Sequence, residues 1–279
     1  IYSIIASMID KKQIPRNSYG ILKKDTLLTS VDESAEQVKR LGYTILDSGL
    51  TTQQIKAISD TFNSTLLKYR KKYGDQKLKS KNEFYSIRAL LSHNQDIFVK
   101  LATNKILLAL LSKLIEGKFI LNQQNGIINP SKKAYNQGSW HRDLPYQHFV
   151  STTPLAVNAL FCVDDFTVEN GSTFIIPGSH KFGNYPSDKF IENNALQIEA
   201  KAGDFIVLDC MVFHSGGYNS SQKERRAINH VYTIPYFKQQ ISLPNILEAK
   251  KLEPEERDLL GFNFDVPTSV DQFIEERKQ

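Results

Sequence analysis

The segment GSWHRDLPYQHF, residues 138–149, sets a histidine and an aspartate two positions apart. In an extended chain alternate side chains share a face, so His141 and Asp143 point the same way with their Cα atoms roughly 6.6 Å apart. An imidazole nitrogen and a carboxylate oxygen at that separation can reach one metal ion. A third ligand must come from elsewhere, and His214 is the candidate: it closes VLDCMVFHSGG, a run whose nearly continuous apolar character marks a buried strand. Two histidines and one carboxylate on one face of an octahedron leave three positions open, the arrangement suited to ferrous iron in oxygen chemistry. Cys210 lies four residues before His214 and reads as a small apolar filler.

These residues need rigid elements to hold them. From Lys118 onward the sequence breaks into short runs separated by turn residues: FILNQQNGIIN, SWHRDLPYQHF, LAVNALFCVDDF, STFIIPGS, LQIEAKAGDFIVLDCMVFHSGG and RRAINHVYTIPYF. Spaced strands with Gly, Pro and Asn between them indicate an antiparallel sandwich or barrel. NGS at 170–172 and AGD at 202–204 mark turns. The first third reads helical. Ile55, Ile58, Phe62, Leu66 and Tyr69 form a stripe on a helix capped near Thr51 or Thr52, and NQDIFVKLATNKILLALLSKLIEG is a second helical stretch ended by Gly117. Charged helical pieces return after Tyr236 in LEPEERDLLGF and VDQFIEERK.

Composition sets the outer bounds. A chain of 279 residues with 41% apolar and 23% charged residues belongs to the globular class, and one domain is expected over 1–279: a helical N-terminal region over 1–117, a β core over 118–236 and a helical C-terminal region over 237–279. A net charge of +5 demands no nucleic acid. Two cysteines, Cys162 and Cys210, make no disulfide framework, and a cytoplasmic location is expected. The apolar opening IYSIIASMID is too short to span a membrane and lacks the flanks of a signal peptide; starting at Ile1, the chain is expected to be preceded by further residues.

H-x-D pairs occur in many chains without chemistry, and the surroundings carry the argument here. SWHRDLPYQ, ENGSTFIIPGSH, KAGDFIVLD, HSGG and RRAINHVY, in that order and spacing, resemble the phytanoyl-CoA dioxygenase family of Fe(II)- and 2-oxoglutarate-dependent oxygenases over roughly 118–236. The resemblance implies a double-stranded β-helix, or jelly roll, buttressed by helices, with His141, Asp143 and His214 as iron ligands, and 2-oxoglutarate and dioxygen as cosubstrates. It implies that an arginine grips the distal carboxylate of 2-oxoglutarate and matches that arginine to Arg225. Alternation lets only one of Arg225 and Arg226 face the pocket, so the other faces outward or pairs with an acid. Asn125 and Asn129, on one face of LNQQNGIIN, match positions that contact the cosubstrate in the family, and Ser215 offers a hydroxyl or shapes a turn. Related halogenases have a small residue in place of the carboxylate ligand, so Asp143 implies hydroxylation, desaturation or ring closure.

Other polar residues have plainer readings. His180 in PGSHK reads as a hydrogen-bonding turn residue rather than a ligand, and His93 is expected to cap a helix or lie on the surface. His148 has the opposite parity to His141, and Tyr146 lies near the expected opening, with packing and substrate contact both open to it. His230 shares parity with Arg226 and turns away from the pocket if Arg225 turns inward. Trp140 faces away from the metal and packs. Lys68 to Lys81 holds seven Lys or Arg against one Asp, which reads as a solvated helix end rather than an anion patch. Two other classes use the same residue types: a cupin-like metal protein or zinc hydrolase, and a silent jelly-roll binding module. The cupin pattern usually shows H-x-H, absent here, and a silent module is expected to lose a ligand or the arginine. A small-molecule substrate is expected, drawn from polar metabolites, natural products, glycans or acyl thioesters; the loop KFGNYPSDKFIENNA carries no readable code for it.

Overall fold

The computed structural model describes residues 14–15, 17–144, 148–264 and 266–276. Its centre is a six-stranded antiparallel sheet in the order β1-β7-β4-β9-β3-β2. Its members are β1 (Tyr43–Asp47), β2 (Ser86–Ile87), β3 (Ile120–Asn129), β4 (Ala156–Cys162), β7 (Asp204–Asp209) and β9 (Arg225–Thr233). A smaller sheet in the order β6-β5-β8 comprises β5 (Thr173–Ile175), β6 (Leu196–Gln197) and β8 (His214–Gly216). The two make the jelly roll. Strand β9 lies between β3 and β4, in register Asn129 to Arg225 on one side and Cys162 to Ala227 on the other, and this register fixes what faces the cleft.

One face of the large sheet is covered by helices. Helix α1 (Ser30–Leu41) is followed by α2 (Thr52–Tyr73), α3 (Asp75–Ser80), α4 (Gln95–Ala102) and α5 (Lys105–Leu114). Thr51 caps α2 in a reciprocal box with Gln54, satisfying donors that the first helical turn leaves open. Ile58, Phe62, Leu66 and Tyr69 are buried along its inner stripe, while Ile55 is half-buried. Phe62 presses on β3 where a Cβ at Gly126 would lie only 2.8 Å from its ring, so only glycine fits there without displacing the helix. Truncating Phe62, which has no exposed surface, should cost about 3–5 kcal/mol.

Three expectations need correcting. The stretch 94–117 is two helices: the Asn104 side chain accepts from the Leu107 amide and donates to the Ser48 carbonyl, so it starts α5 and breaks the run. The helical first third also contributes β1 and β2 to the main sheet, so the β structure begins well before Lys118. Finally, SWHRDLPYQHF is no continuous strand. A single bridge joins His141 to His214, a backbone bond joins Asp143 to Cys210, and residues 145–147, including Tyr146, lie outside the described residues.

Helix α6 (Asp188–Asn194) lies between β5 and β6, and the C-terminal end adds α7 (Pro254–Leu259), which carries its own capping box from Glu253 and Glu256, and α8 (Val270–Glu276). The basic run from Lys68 is a solvated helix end in which the Arg70 guanidinium and the Lys79 ammonium lie over the Phe84 ring. Among the described residues no helix is long and apolar enough to cross a membrane.

Candidate active site

Neighbouring backbone bonds bring the three metal-ligand candidates together. His141 and His214 exchange both ladder bonds (N to O 3.0 and 3.1 Å), and the Asp143 amide donates to the Cys210 carbonyl at 3.0 Å. One donor atom from each of His141, Asp143 and His214 lies within 4.8 Å of the others. Asp143 Oδ1 stands 4.0 Å from His141 Nε2 and 3.8 Å from His214 Nε2.

Hydrogen bonds around the triad aim these atoms. His141 Nδ1 lies 2.7 Å from the Ser139 carbonyl and His214 Nδ1 3.1 Å from the Val212 carbonyl. A carbonyl can only accept, so each Nδ1 carries the proton and each Nε2 lone pair is left for a metal. Burial, with His141 adding to it, holds the His214 pKa below its ordinary value against the pull of Asp143. Asn158 Nδ2 donates to Asp143 Oδ2 at 2.6 Å, which occupies one carboxylate oxygen and presents the other to the histidines. The donor set of two neutral imidazoles and one carboxylate fits ferrous iron. Cys210 is fully buried among Ala156 and Val231, and burial keeps its thiol protonated, as suits an apolar filler.

The triad opens on a cleft of about 480 Å³, counting its open mouth, whose lining includes Tyr135, Asn158, Thr173, Gly216, Arg225 and Asn229. Arg225 is 4% exposed. Its Nε donates to the Asn170 carbonyl at 3.3 Å, its Nη2 to the Gly171 carbonyl at 3.1 Å, and its plane lies 3.7 Å over Phe166. No carboxylate pairs with it among the described residues, and burial lowers its pKa. Arg226 differs in every respect: it forks onto Asp164 (3.0 and 2.5 Å) and reaches Asn63 of α2. A buried cation without a counterion is costly, by several kcal/mol in order of magnitude, unless something anionic joins it. Three further polar atoms of the cleft, Gln137 Oε1, Asn158 Oδ1 and Asn229 Oδ1, are buried without a partner.

Three residues matched to the cosubstrate by resemblance do not line this cleft. Asn125 shares a face with Ile127, but its amide accepts from Ala89 and donates to Gln240, tying β3 to the chain on either side. Asn129 donates to the Gly171 and Gly217 carbonyls and so steadies the turn on which Arg225 rests. Ser215 falls between His214 and Gly216 on β8, so alternation turns it away, and its hydroxyl bonds the Gly216 carbonyl. Cleft residues the sequence did not disclose are Tyr135, Gln137, Asn158, Thr173 and Asn229. Two had a signal: Asn158 interrupts the apolar run LAVNALFCV, and Asn229 falls four residues after Arg225 on the same face.

The remaining polar residues serve structure. Arg142, between His141 and Asp143, points the opposite way, lies 3.9 Å over Phe213, and donates to the carbonyls of Ser179, Phe182, Gly183 and Met211. His180 is buried in its turn with Nε2 3.2 Å from the Lys39 carbonyl, His148 is exposed, and Trp140 packs on Phe174. His230 faces the helices, with Nδ1 near the Ala159 carbonyl and Nε2 near Gln124.

A jelly roll that gathers two histidines and an aspartate at one end of a polar cleft is a scaffold that can hold a metal ion. The chain belongs to the phytanoyl-CoA dioxygenase (PhyH) family, whose model matches residues 38–227. It is 29% identical over 255 residues to an uncharacterised protein of Mycobacterium tuberculosis, covering 88% of this chain and 92% of that protein. It is 25% identical over 286 residues to the dioxygenase FUM3 of Gibberella moniliformis, covering 94% and 93%. The crystal structure of EctD from S. alaskensis with 2-oxoglutarate and 5-hydroxyectoine superposes with a TM-score of 0.62 at 19% identity, over 77% of this chain and 79% of EctD.

Proposed function

We propose that this chain is an Fe(II)- and 2-oxoglutarate-dependent dioxygenase that hydroxylates, or otherwise oxidises, an aliphatic C–H bond of a small polar substrate. The observation that carries this reading is the pairing of the triad with Arg225 in one cleft: a metal-donor set and a buried guanidinium with no anion of its own. His141, Asp143 and His214 would hold the iron, and Arg225 would grip the distal carboxylate of 2-oxoglutarate with parallel, charge-assisted hydrogen bonds. Bound iron supplies the activation of dioxygen, coupled to oxidative decarboxylation of 2-oxoglutarate to succinate and carbon dioxide.

The chain's own contribution is placement. The Ser139 and Val212 carbonyls set the imidazole tautomers, Asn158 fixes the carboxylate rotamer, and the apolar residues Ile127, Leu160, Leu208 and Ala227 limit water in the cleft. Asp143 occupies the position that halogenation would require to be vacant, which favours hydroxylation or a related oxidation. Succinate release from purified protein with iron, 2-oxoglutarate and candidate substrates tests the reading. Oxygen-dependent succinate is expected, lost in His214→Ala. Succinate formation that ignores oxygen and iron, or chloride-dependent halogenation, would overturn it.

A further inference from the structure

Residues 139–144, which carry His141 and Asp143, form no continuous strand, so the placement of both side chains depends on what else holds them. The backbone bonds show where the pairing is interrupted. His141 exchanges both bonds with His214, and a regular antiparallel ladder would next join Asp143 to Val212. The Asp143 amide donates instead to the Cys210 carbonyl, so the chain opposite carries two extra residues in a bulge over 211–213. The same bulge orients the other imidazole, because its Val212 carbonyl takes the proton of His214 Nδ1.

Arg142 fills the interruption. It is 5% exposed and lies on the face away from the metal-donor atoms. Its Nε donates to the Met211 carbonyl at 2.7 Å and its guanidinium lies 3.9 Å over the Phe213 ring, so one group grips the bulge at its first and last residues. Its Nη1 donates to the Gly183 carbonyl at 3.0 Å, and its Nη2 to those of Ser179, at 3.2 Å, and Phe182. That turn is itself fixed. The Ser179 hydroxyl accepts from the Phe213 amide at 2.9 Å, the Gly178 amide donates to the Leu41 carbonyl at 2.7 Å, and His180 Nε2 lies 3.2 Å from the Lys39 carbonyl near the end of α1. A planar guanidinium, with donors in a rigid fork, can bind carbonyls of two separate segments at once.

We propose that Arg142 is a positioning residue for the metal: by locking the bulge at 211–213 to the turn at 179–183, it holds His141 and Asp143 at their separation from His214. This rests on the reading of the triad as the metal site, and Arg142 acts on that site through the backbone. His214 has further support from its pairing with Ile175 on β5. Loss of Arg142 therefore falls first on His141 and Asp143.

Two measurements on the full chain test this: manganese(II) affinity by calorimetry, and the number of imidazoles on substoichiometric copper(II), counted by electron spin-echo spectroscopy. The unaltered protein is expected to show two imidazoles. In Arg142→Met, manganese affinity should fall about tenfold or more, and the count should drop to one, that of His214. Arg142→Lys, whose ammonium can hold the Met211 carbonyl but not the turn as well, should fall between, and it carries both readouts if Arg142→Met does not fold. Phe62→Leu, a core change on the helical side of the sheet, should lower unfolding stability and leave both readouts unchanged. Two imidazoles and undiminished manganese affinity in the Arg142 variants overturn the proposal, as does an equal loss in Phe62→Leu, which would make the arginine a general prop of the fold. An unaltered protein that binds copper without two imidazoles would instead bring down the reading of the triad on which the proposal stands.

Discussion

Strand β9 carries a buried arginine and a histidine on opposite faces, and the contrast between those faces separates function from folding. On the helical side, His230 has both ring nitrogens engaged and Arg226 forks onto Asp164. On the cleft side, the hydrogen bonds of Arg225 go only to carbonyls, and nearby His214 has one nitrogen engaged and the other aimed at Asp143. The same residue types occur on both faces. What differs is whether the protein supplies their last partner, and leaving it out costs stability that a ligand can return.

Substitutions that exchange the two faces should therefore behave in opposite ways. His214→Ala is expected to abolish stable metal binding, read by equilibrium dialysis, while His230→Gln keeps it. Arg225→Met should raise the KM for 2-oxoglutarate by about 100-fold or more, the loss of charge-assisted hydrogen bonds to a buried anion. Arg226→Met should leave that KM alone and lower unfolding stability by about 1–2 kcal/mol, since its pair with Asp164 is partly exposed. A reversed pattern would mean that the wrong arginine has been placed in the cleft.

Asn158→Ala tests the support behind the carboxylate. Freeing Asp143 Oδ2 lets the side chain rotate, and metal affinity should fall about 10- to 100-fold with the fold intact. Unchanged affinity would show that the 2.6 Å bond does not orient the ligand.

The core histidine leaves its mark on the pH dependence of stability. Burial pushes the His230 pKa down from 6.5 to about 4, so between those values the unfolded chain binds a proton that the folded chain refuses. Stability of the metal-free protein should rise with pH across that window and fall by up to about 3 kcal/mol on acidification through it. His230→Gln should flatten this slope, as followed by denaturant unfolding at several pH values. Burial also lowers the pKa of His93, His180 and His214, so some of the slope should survive.

Legibility in the sequence followed how local each signal was. The H-x-D pair, the strand-ending His214 and the RR pair are contiguous motifs, so the sequence pattern and the resemblance together indicated the jelly roll and four of the residues the structure gathers at its cleft, His141, Asp143, His214 and Arg225. Alternation lets only one of Arg225 and Arg226 face the cleft, because one residue along a strand reverses the face, and the family resemblance is what singled out Arg225. Strands β1 and β2 escaped because YTILD and a two-residue strand lie amid helical patterning and are defined by partners far along the chain. The same holds for the Arg225 end of the cleft. Tyr135, Thr173 and Gly216 come from three separate segments, and only the folded register brings them together. Asn125, Asn129 and Ser215 were matched by position, yet their side chains are committed to backbone groups and a glutamine, a commitment no single sequence displays.

The most direct test of the account is a crystal structure of the protein grown anaerobically with Fe(II) and 2-oxoglutarate, using anomalous scattering at the iron edge. The account predicts one iron bound by His141 Nε2, Asp143 Oδ1 and His214 Nε2, with the far carboxylate of 2-oxoglutarate on Arg225. Iron bound away from those three atoms, or a cosubstrate whose carboxylate lies elsewhere while Arg225 still contacts only carbonyl oxygens, would contradict it.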